Sequence, residues 1–274
     1  MRQLFALSGL FLACTLLLPG QALAQSQMIL AVSEGTGGGL DHAQVIAKYQ
    51  GLGNVIGNAL KAKVSVVFAR EFSTLENGMK AGRFEFVMAR PSDYPARAIR
   101  DDGYSFIATA KPDIQCLIIA LSDSPLKTLD QARGKRFAMS EKVAYSSRIC
   151  TADLRDQGLN LAKENVQYVR EQAAVGFYLQ NKFADVGAIA SSSGLAKKLD
   201  KNGFRVLHKS PPQPYFPMVA SKKIRPEQIK AIQKELLALP SRPDGQDILQ
   251  RIGIAEFDTA SEARLVGLLK WLEQ

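Results

Sequence analysis

The chain has 274 residues, 46% of them hydrophobic, and carries 35 Lys+Arg against 26 Asp+Glu for a formal net charge of +9. That length is enough for one large domain or two ordinary ones. The basic surplus is spread out, with no block of five like charges, which argues for a surface that attracts anions and against a nucleic-acid-binding tract.

The N-terminus reads as an export leader. Arg2 precedes the apolar run "LFALSGLFLACTLLL", Pro19-Gly20 breaks it, and Ala22-Leu23-Ala24 forms an A-x-A cleavage site. The run is too short for a membrane span, and Cys14 lies inside it with leucines still to follow, which is wrong for a lipid anchor. Cleavage after Ala24 leaves 34 basic and 26 acidic residues. Cys116 and Cys150 then remain, free to pair in an oxidising compartment or to sit as buried thiols.

From there short apolar strands alternate with helical patterns, which predicts an α/β protein with largely parallel sheets. "MILAVS" (28–33) and "KVSVVFA" (63–69) read as strands, with a helix between them that Gly51, Gly53 and Gly57 are expected to interrupt. "RFEFVMA" (83–89) is a third strand, and "PSDYPARAIRDDG" starts a helix after it. Residues 113–124 read as one long strand. "RFAMS" is a strand, "SSRICTADLRDQG" a helix, "NVQYVRE" a strand, "QAAVGFYLQNKFA" a helix and "DVGAIA" a strand. "SSSGLAKKLDKNG" is predicted helical, and "FRVLHKS" is a strand. "PPQPYFPMVAS" (211–221) is proline-rich and ends as a strand, and the rest is helical. The stretches 113–124 and 211–221 are the candidates for chain crossings between two lobes.

Three strand-to-helix junctions carry the chemistry. "EGTGGGLDH" (34–42) lets backbone N–H groups approach a ligand, but it fails both the phosphate-loop and the dinucleotide patterns. "ARPSDY" (89–94) places Arg90 at a strand's carboxyl end, with Ser92 or Asp93 as helix cap. "AYSSR" (144–148) offers Tyr145, Ser146 and Ser147 at a helix start. One hydroxyl is expected to cap the helix and the other to remain for an anion. The two histidines, His42 and His208, have no metal-ligand spacing. A Cys150–His208 nucleophile pair can be drawn but lacks any local signature, and a serine–lysine pairing of Ser193 with Lys197 is as easily chance as design.

Taken in order, "AGRFEFVMARPSDYPARAI", "LKTLDQARGKRFAMS", the hydroxyl-rich helix start, "YLQNKFADVGAIA" and "KSPPQPYFPMVASKKI" resemble the phosphonate/phosphate/phosphite class of substrate-binding proteins of ABC importers. The resemblance implies a two-lobed type II periplasmic-binding fold of the α/β class. Residues 25–112 would form the first lobe, 113–215 the second, and 216–274 the return to the first. It also implies a periplasmic monomer that takes a small anionic ligand to an ABC permease of the inner membrane, with no catalysis, cofactor or nucleic acid. Its site would draw on Arg90, Ser92 and Tyr94 from one lobe and Tyr145, Ser146, Ser147 and Arg148 from the other. Phe72 would face the ligand where the family often has tyrosine, Gln172 would stand near a missing Ser-His-Asp-like triplet, and Asp185 would contact a ligand amine. Arg148 replaces a usual glycine. "EGTGGG" is also similar to the TAXI-type binding proteins of TRAP transporters, which implies a carboxylate ligand, and a periplasmic sensory partner of a receptor is the other alternative.

Overall fold

The computed structural model describes residues 27–35 and 39–274. The expected leader (1–24) and the middle of the glycine-rich loop lie outside the described residues.

The elements follow in chain order: β1 (Gln27–Ser33), α1 (His42–Leu60), β2 (Lys63–Phe68), α2 (Phe72–Lys80), β3 (Phe86–Ala89), α3 (Asp93–Asp101), β4 (Ser105–Ile114) and β5 (Cys116–Leu121). After these come β6 (Arg136–Ser140), α4 (Tyr145–Asp156), β7 (Asn165–Val169), α5 (Gln172–Gln180), β8 (Val186–Ala190), β9 (Phe204–Lys209) and β10 (Gln213–Ala220). The chain closes with α6 (Pro226–Ala238), α7 (Pro243–Ile252), β11 (Glu256–Asp258) and α8 (Glu262–Leu272).

Two sheets result. One has the order β11-β4-β10-β3-β1-β2, the other β7-β6-β8-β5-β9. In each, the strands that alternate with helices are parallel, and the strand on which the chain enters from the other sheet, β10 or β5, runs antiparallel to its neighbours on both sides. The stretch 113–124 is therefore two strands, not one: β4 ends in the first sheet and β5 begins in the second, with Gln115 between. The return passes over residues 210–212, between β9 of the second sheet and β10 of the first.

Each sheet is covered on both faces. One apolar cluster (Ala31, Leu75, Val87, Val219) fills the outer face of the first sheet, and another (Ile119, Val175, Leu179, Phe204) that of the second. The largest cluster runs through both lobes, from Leu30 and Phe86 past Ile107 and Ile114 to Ile118, Phe137 and Leu154. Cys116 and Cys150 are joined, Cα–Cα 5.1 Å, tying β5 to α4.

Two helical expectations are corrected. α1 runs unbroken through its glycines because they sit where neighbours press closest. A Cβ on Gly51 would lie 2.9 Å from Ile248 Cγ1, and one on Gly57 2.7 Å from the Ala62 carbonyl oxygen. Tertiary packing outweighs the propensity cost of about 1 kcal/mol per glycine. The segment 191–203 is not a helix but two short 3₁₀ turns, Ala196–Lys198 and Asp200–Asn202. Ser193 Oγ accepts from the Ala196 N–H at 3.0 Å, a local bond that competes with helix continuation.

Candidate functional site

The parallel strands of both sheets end at one cleft. Glu34 follows β1, Arg90 follows β3, Ser191 follows β8, and α4 begins a few residues after β6. This is where open α/β sheets gather ligands. The cleft is a cavity of about 610 Å³ between the lobes.

The first-lobe wall is a closed electrostatic network. Glu34, 5% exposed, accepts from Lys48 Nζ at 2.6 Å, Tyr49 Oη at 2.5 Å and Arg90 Nε at 2.5 Å. Burial alone would raise its carboxyl, yet the charges of Arg90 and Lys48 and the hydrogen bonds hold it below its ordinary value of 4.5. Arg90 also donates to Tyr215 Oη at 2.5 Å and to the Ile252 carbonyl at 3.3 Å, the end of α7. Its guanidinium lies 4.5 Å from the ring centre of Phe216, whose φ of 49° is left-handed. At the crossing, Lys111 pairs with Asp113 and Asp258, and Asp113 also holds Arg264.

The second-lobe wall keeps its donors open. α4 starts at Tyr145 with Ala144 as N-cap and no capping side chain. Neither serine caps it, contrary to the sequence expectation: Ser147 Oγ donates back to the Ser140 carbonyl at 2.7 Å, and Ser146 Oγ to Ser140 Oγ at 3.3 Å. The helix begins at Tyr145, so both serines lie inside its first turn and the N-cap position falls to Ala144, which has no side-chain acceptor. Tyr145 and Ser146 line the cavity together with Gln172, Ser191, Ser192, Ser193 and Lys197. Gln172 Oε1 accepts from the Ala190 N–H at 2.6 Å, which leaves its amide N–H groups for the cleft. Ser191 is stitched to the crossing through Gln115 in both directions, at 2.9 Å each. Among the described residues Lys197 makes no ion pair, although it stands at the cavity wall.

The structure brings Arg90, Tyr145, Ser146 and Gln172 to the cleft and leaves the other expected residues outside its lining. Phe72 stacks on Tyr94, ring centres 5.6 Å apart, in the outer-face cluster of the first lobe. Ser92 is wholly buried, its hydroxyl turned to the Arg90 carbonyl at 3.5 Å. Ser147 is spent on Ser140. Arg148 crosses to Asp93 at 2.6 Å. Asp185 sits at the amino end of β8, the opposite end from the cleft, where it accepts two bonds from the Arg136 side chain. Cys150 is in its disulfide, and His208 Nε2 faces Asp153 Oδ2 at 2.7 Å, so the drawn thiol–imidazole pair does not form. Tyr215, Lys48, Lys111, Lys197 and the serine run 191–193 are among the cleft residues that sequence reasoning did not select. Three serines and a glycine directly after a strand were the available signal.

A family model described as the periplasmic substrate-binding protein of phosphonate ABC transporters matches residues 40–265. Solved structures share the fold at low identity. XAC2383 from Xanthomonas citri, solved bound to ATP, is 16% identical over 90% of this chain and 97% of its own, with a TM-score of 0.73. PhnD1 from Prochlorococcus marinus, in complex with methylphosphonate, is 12% identical over 89% and 96%, TM-score 0.71. The aliphatic sulphonate binding protein SsuA from Escherichia coli is 15% identical over 90% and 82%, TM-score 0.61. The matched family is one of transporter substrate-binding proteins, which is not an enzyme class. By the extent of the family match and by its two-lobed architecture, this chain belongs to the periplasmic substrate-binding proteins of ABC phosphonate transporters.

Proposed function

We propose that the protein captures an organic oxyanion, such as a phosphonate, a phosphate ester or a sulfonate, between its lobes and hands it to an inner-membrane permease. The observation that carries this reading is the second-lobe wall. A run of serine hydroxyls, the amide N–H groups of Gln172 and Lys197, which is unpaired among the described residues, converge on one cavity, and each of them stabilises negative charge. The opposite wall adds a weaker positive field, since one Glu34 carboxylate answers two cations.

Cavity size favours an organic group on the anion. About 610 Å³ suits a ligand with tens of non-hydrogen atoms better than bare phosphate. The relatives solved with ATP and with methylphosphonate support both an oxyanion and a variable appendage. Ligand contacts to both walls would favour the closed arrangement by rotation about Gln115 and residues 210–212. We read the protein as a monomer exported by cleavage after Ala24, with no bond made or broken in its cycle. A sensing role would use the same closure with a receptor in place of the permease.

The experiment is a thermal-shift panel on the mature protein with inorganic phosphate, alkylphosphonates, aminophosphonates, alkylsulfonates, ATP and small carboxylates. A ligand at 100 times its Kd adds about 2.7 kcal/mol to stability. A phosphorus or sulfur oxyanion that raises the midpoint, with the rise lost in Lys197→Ala, supports the reading. A response confined to carboxylates would replace it with the TRAP-type alternative.

A further inference from the structure

The starts of α3 and α4 approach each other across the junction of the lobes, and the charge between them belongs to the chain itself. Asp93, first residue of α3, is completely buried. Its Oδ2 accepts from Arg148 Nη1 of α4 at 2.6 Å and from Arg97 Nη1 of its own helix at 2.9 Å. Its Oδ1, equally buried, has no partner. Neither helix start has a capping side chain. Beside this pair, Tyr145 Oη donates to the Pro214 carbonyl of the first lobe at 3.0 Å. Burial and the Asp93 charge push its phenol well up, so it stays a donor.

This placement has two physical consequences. Helix starts and arginines together make a strong anion position, and a carboxylate already neutralises it. The bond from Arg148 to Asp93 also joins the two lobes in a way that needs no ligand. The unpartnered Oδ1 shows that Asp93 is held by its two arginines, not by a full set of hydrogen bonds. The cavity lining passes by this point, with Arg90, Pro91, Tyr145 and Ser146 at its edge and Asp93 and Arg148 behind.

We propose that Asp93 is a built-in anion: it occupies the oxyanion position between α3 and α4 and, through Arg148, ties the lobes together before any ligand arrives. Recognition of an incoming anion is thereby displaced to the serine run and Lys197, and a bare oxyanion gains no access to the helix-start position. Asp93 is in this sense a specificity-determining residue that touches no ligand. Nothing here depends on which ligand the cleft takes, so this inference and the proposed function can fail separately.

Asp93→Ala leaves both helix starts, Arg97 and Arg148 around an unfilled volume. The variant should acquire saturable thermal stabilisation by inorganic phosphate, sulfate or acetate, beyond the effect of equal chloride, and adding Arg148→Ala should abolish it. The wild type should show no such response that depends on Arg148. Absence of anion rescue in Asp93→Ala, or a wild-type phosphate response lost on Arg148→Ala, would overturn the proposal. If Asp93→Ala does not fold, Asp93→Asn keeps the shape and drops the charge. Small-angle scattering of the unliganded protein should then show a larger radius of gyration for Asp93→Asn and for Arg148→Ala than for the wild type. Equal compactness in all three would overturn it as well.

Discussion

The two walls of the cleft solve opposite problems. On the first lobe every cation at the cleft is already answered: Lys48 and Arg90 by Glu34, Lys111 by Asp113 and Asp258. On the second lobe the helix start is uncapped, the serines lie open and Lys197 stands unpaired among the described residues. Net charge follows the same division. Residues 115–212 hold 15 Lys and Arg against 9 Asp and Glu, whereas the rest of the chain after residue 24 holds 19 against 17. One half of a binding cleft can thus be built by satisfying its charges internally, while affinity is left to the half whose donors still lack partners.

The largest effect should come from breaking the satisfied wall. Arg90→Ala strips Glu34 of its main counter-charge and leaves a buried carboxylate short of partners. A loss of about 3–5 kcal/mol in urea unfolding is expected, against a smaller loss for Lys48→Ala, which is more exposed. Next, replacing Cys116 and Cys150 together by alanine should cost about 2–4 kcal/mol and loosen α4 against β5. That weakens the open wall without touching a donor. Lys197→Ala sharpens the comparison from the other side. A lost charge-assisted bond worth about 1.5–3 kcal/mol would reduce affinity for the bound oxyanion roughly 10- to 100-fold, with the unliganded midpoint unchanged.

Acid should also act on the two walls unequally. The Glu34 carboxyl lies below 4.5 in the folded protein, so it adds stability above that ordinary value and loses it as pH falls through the lowered one. Glu34→Gln should therefore flatten the decline in stability below about pH 4.5 and leave the neutral-pH slope alone. The smallest effect is expected at Asp185. Its exposed pairing with Arg136 at the far end of β8 predicts that Asp185→Asn leaves ligand affinity, including that for aminophosphonates, unaltered.

The alternation of apolar strands and helices made the layered α/β architecture legible, because period-2 and period-3.6 patterns are local. The crossing at Gln115 was half legible. Two strands in different sheets looked like one because only a single residue parts them. Most of the missed features are non-local. α1 keeps Gly51 because Ile248 presses against it, and no window around residues 51–57 contains Ile248. Arg90 and Arg148 were read as ligand cations from their position after a strand and in a helix start. Their actual partners stand 56 and 55 residues away in the chain, and pairing at that range leaves no trace in spacing. The serine run 191–193 was visible as composition but was assigned to a helix, since its role depends on Ser193 closing a turn on Ala196.

The division between a satisfied and an open wall is tested most directly by titration calorimetry of the wild type, Lys197→Ala and Lys48→Ala with inorganic phosphate, methylphosphonate, methanesulfonate and ATP. The account predicts that at least one of these binds the wild type, that Lys197→Ala weakens it at least tenfold, and that Lys48→Ala changes stability more than affinity. Binding that survives Lys197→Ala unchanged but is lost in Lys48→Ala would contradict it, and so would a wild type that binds none of the four.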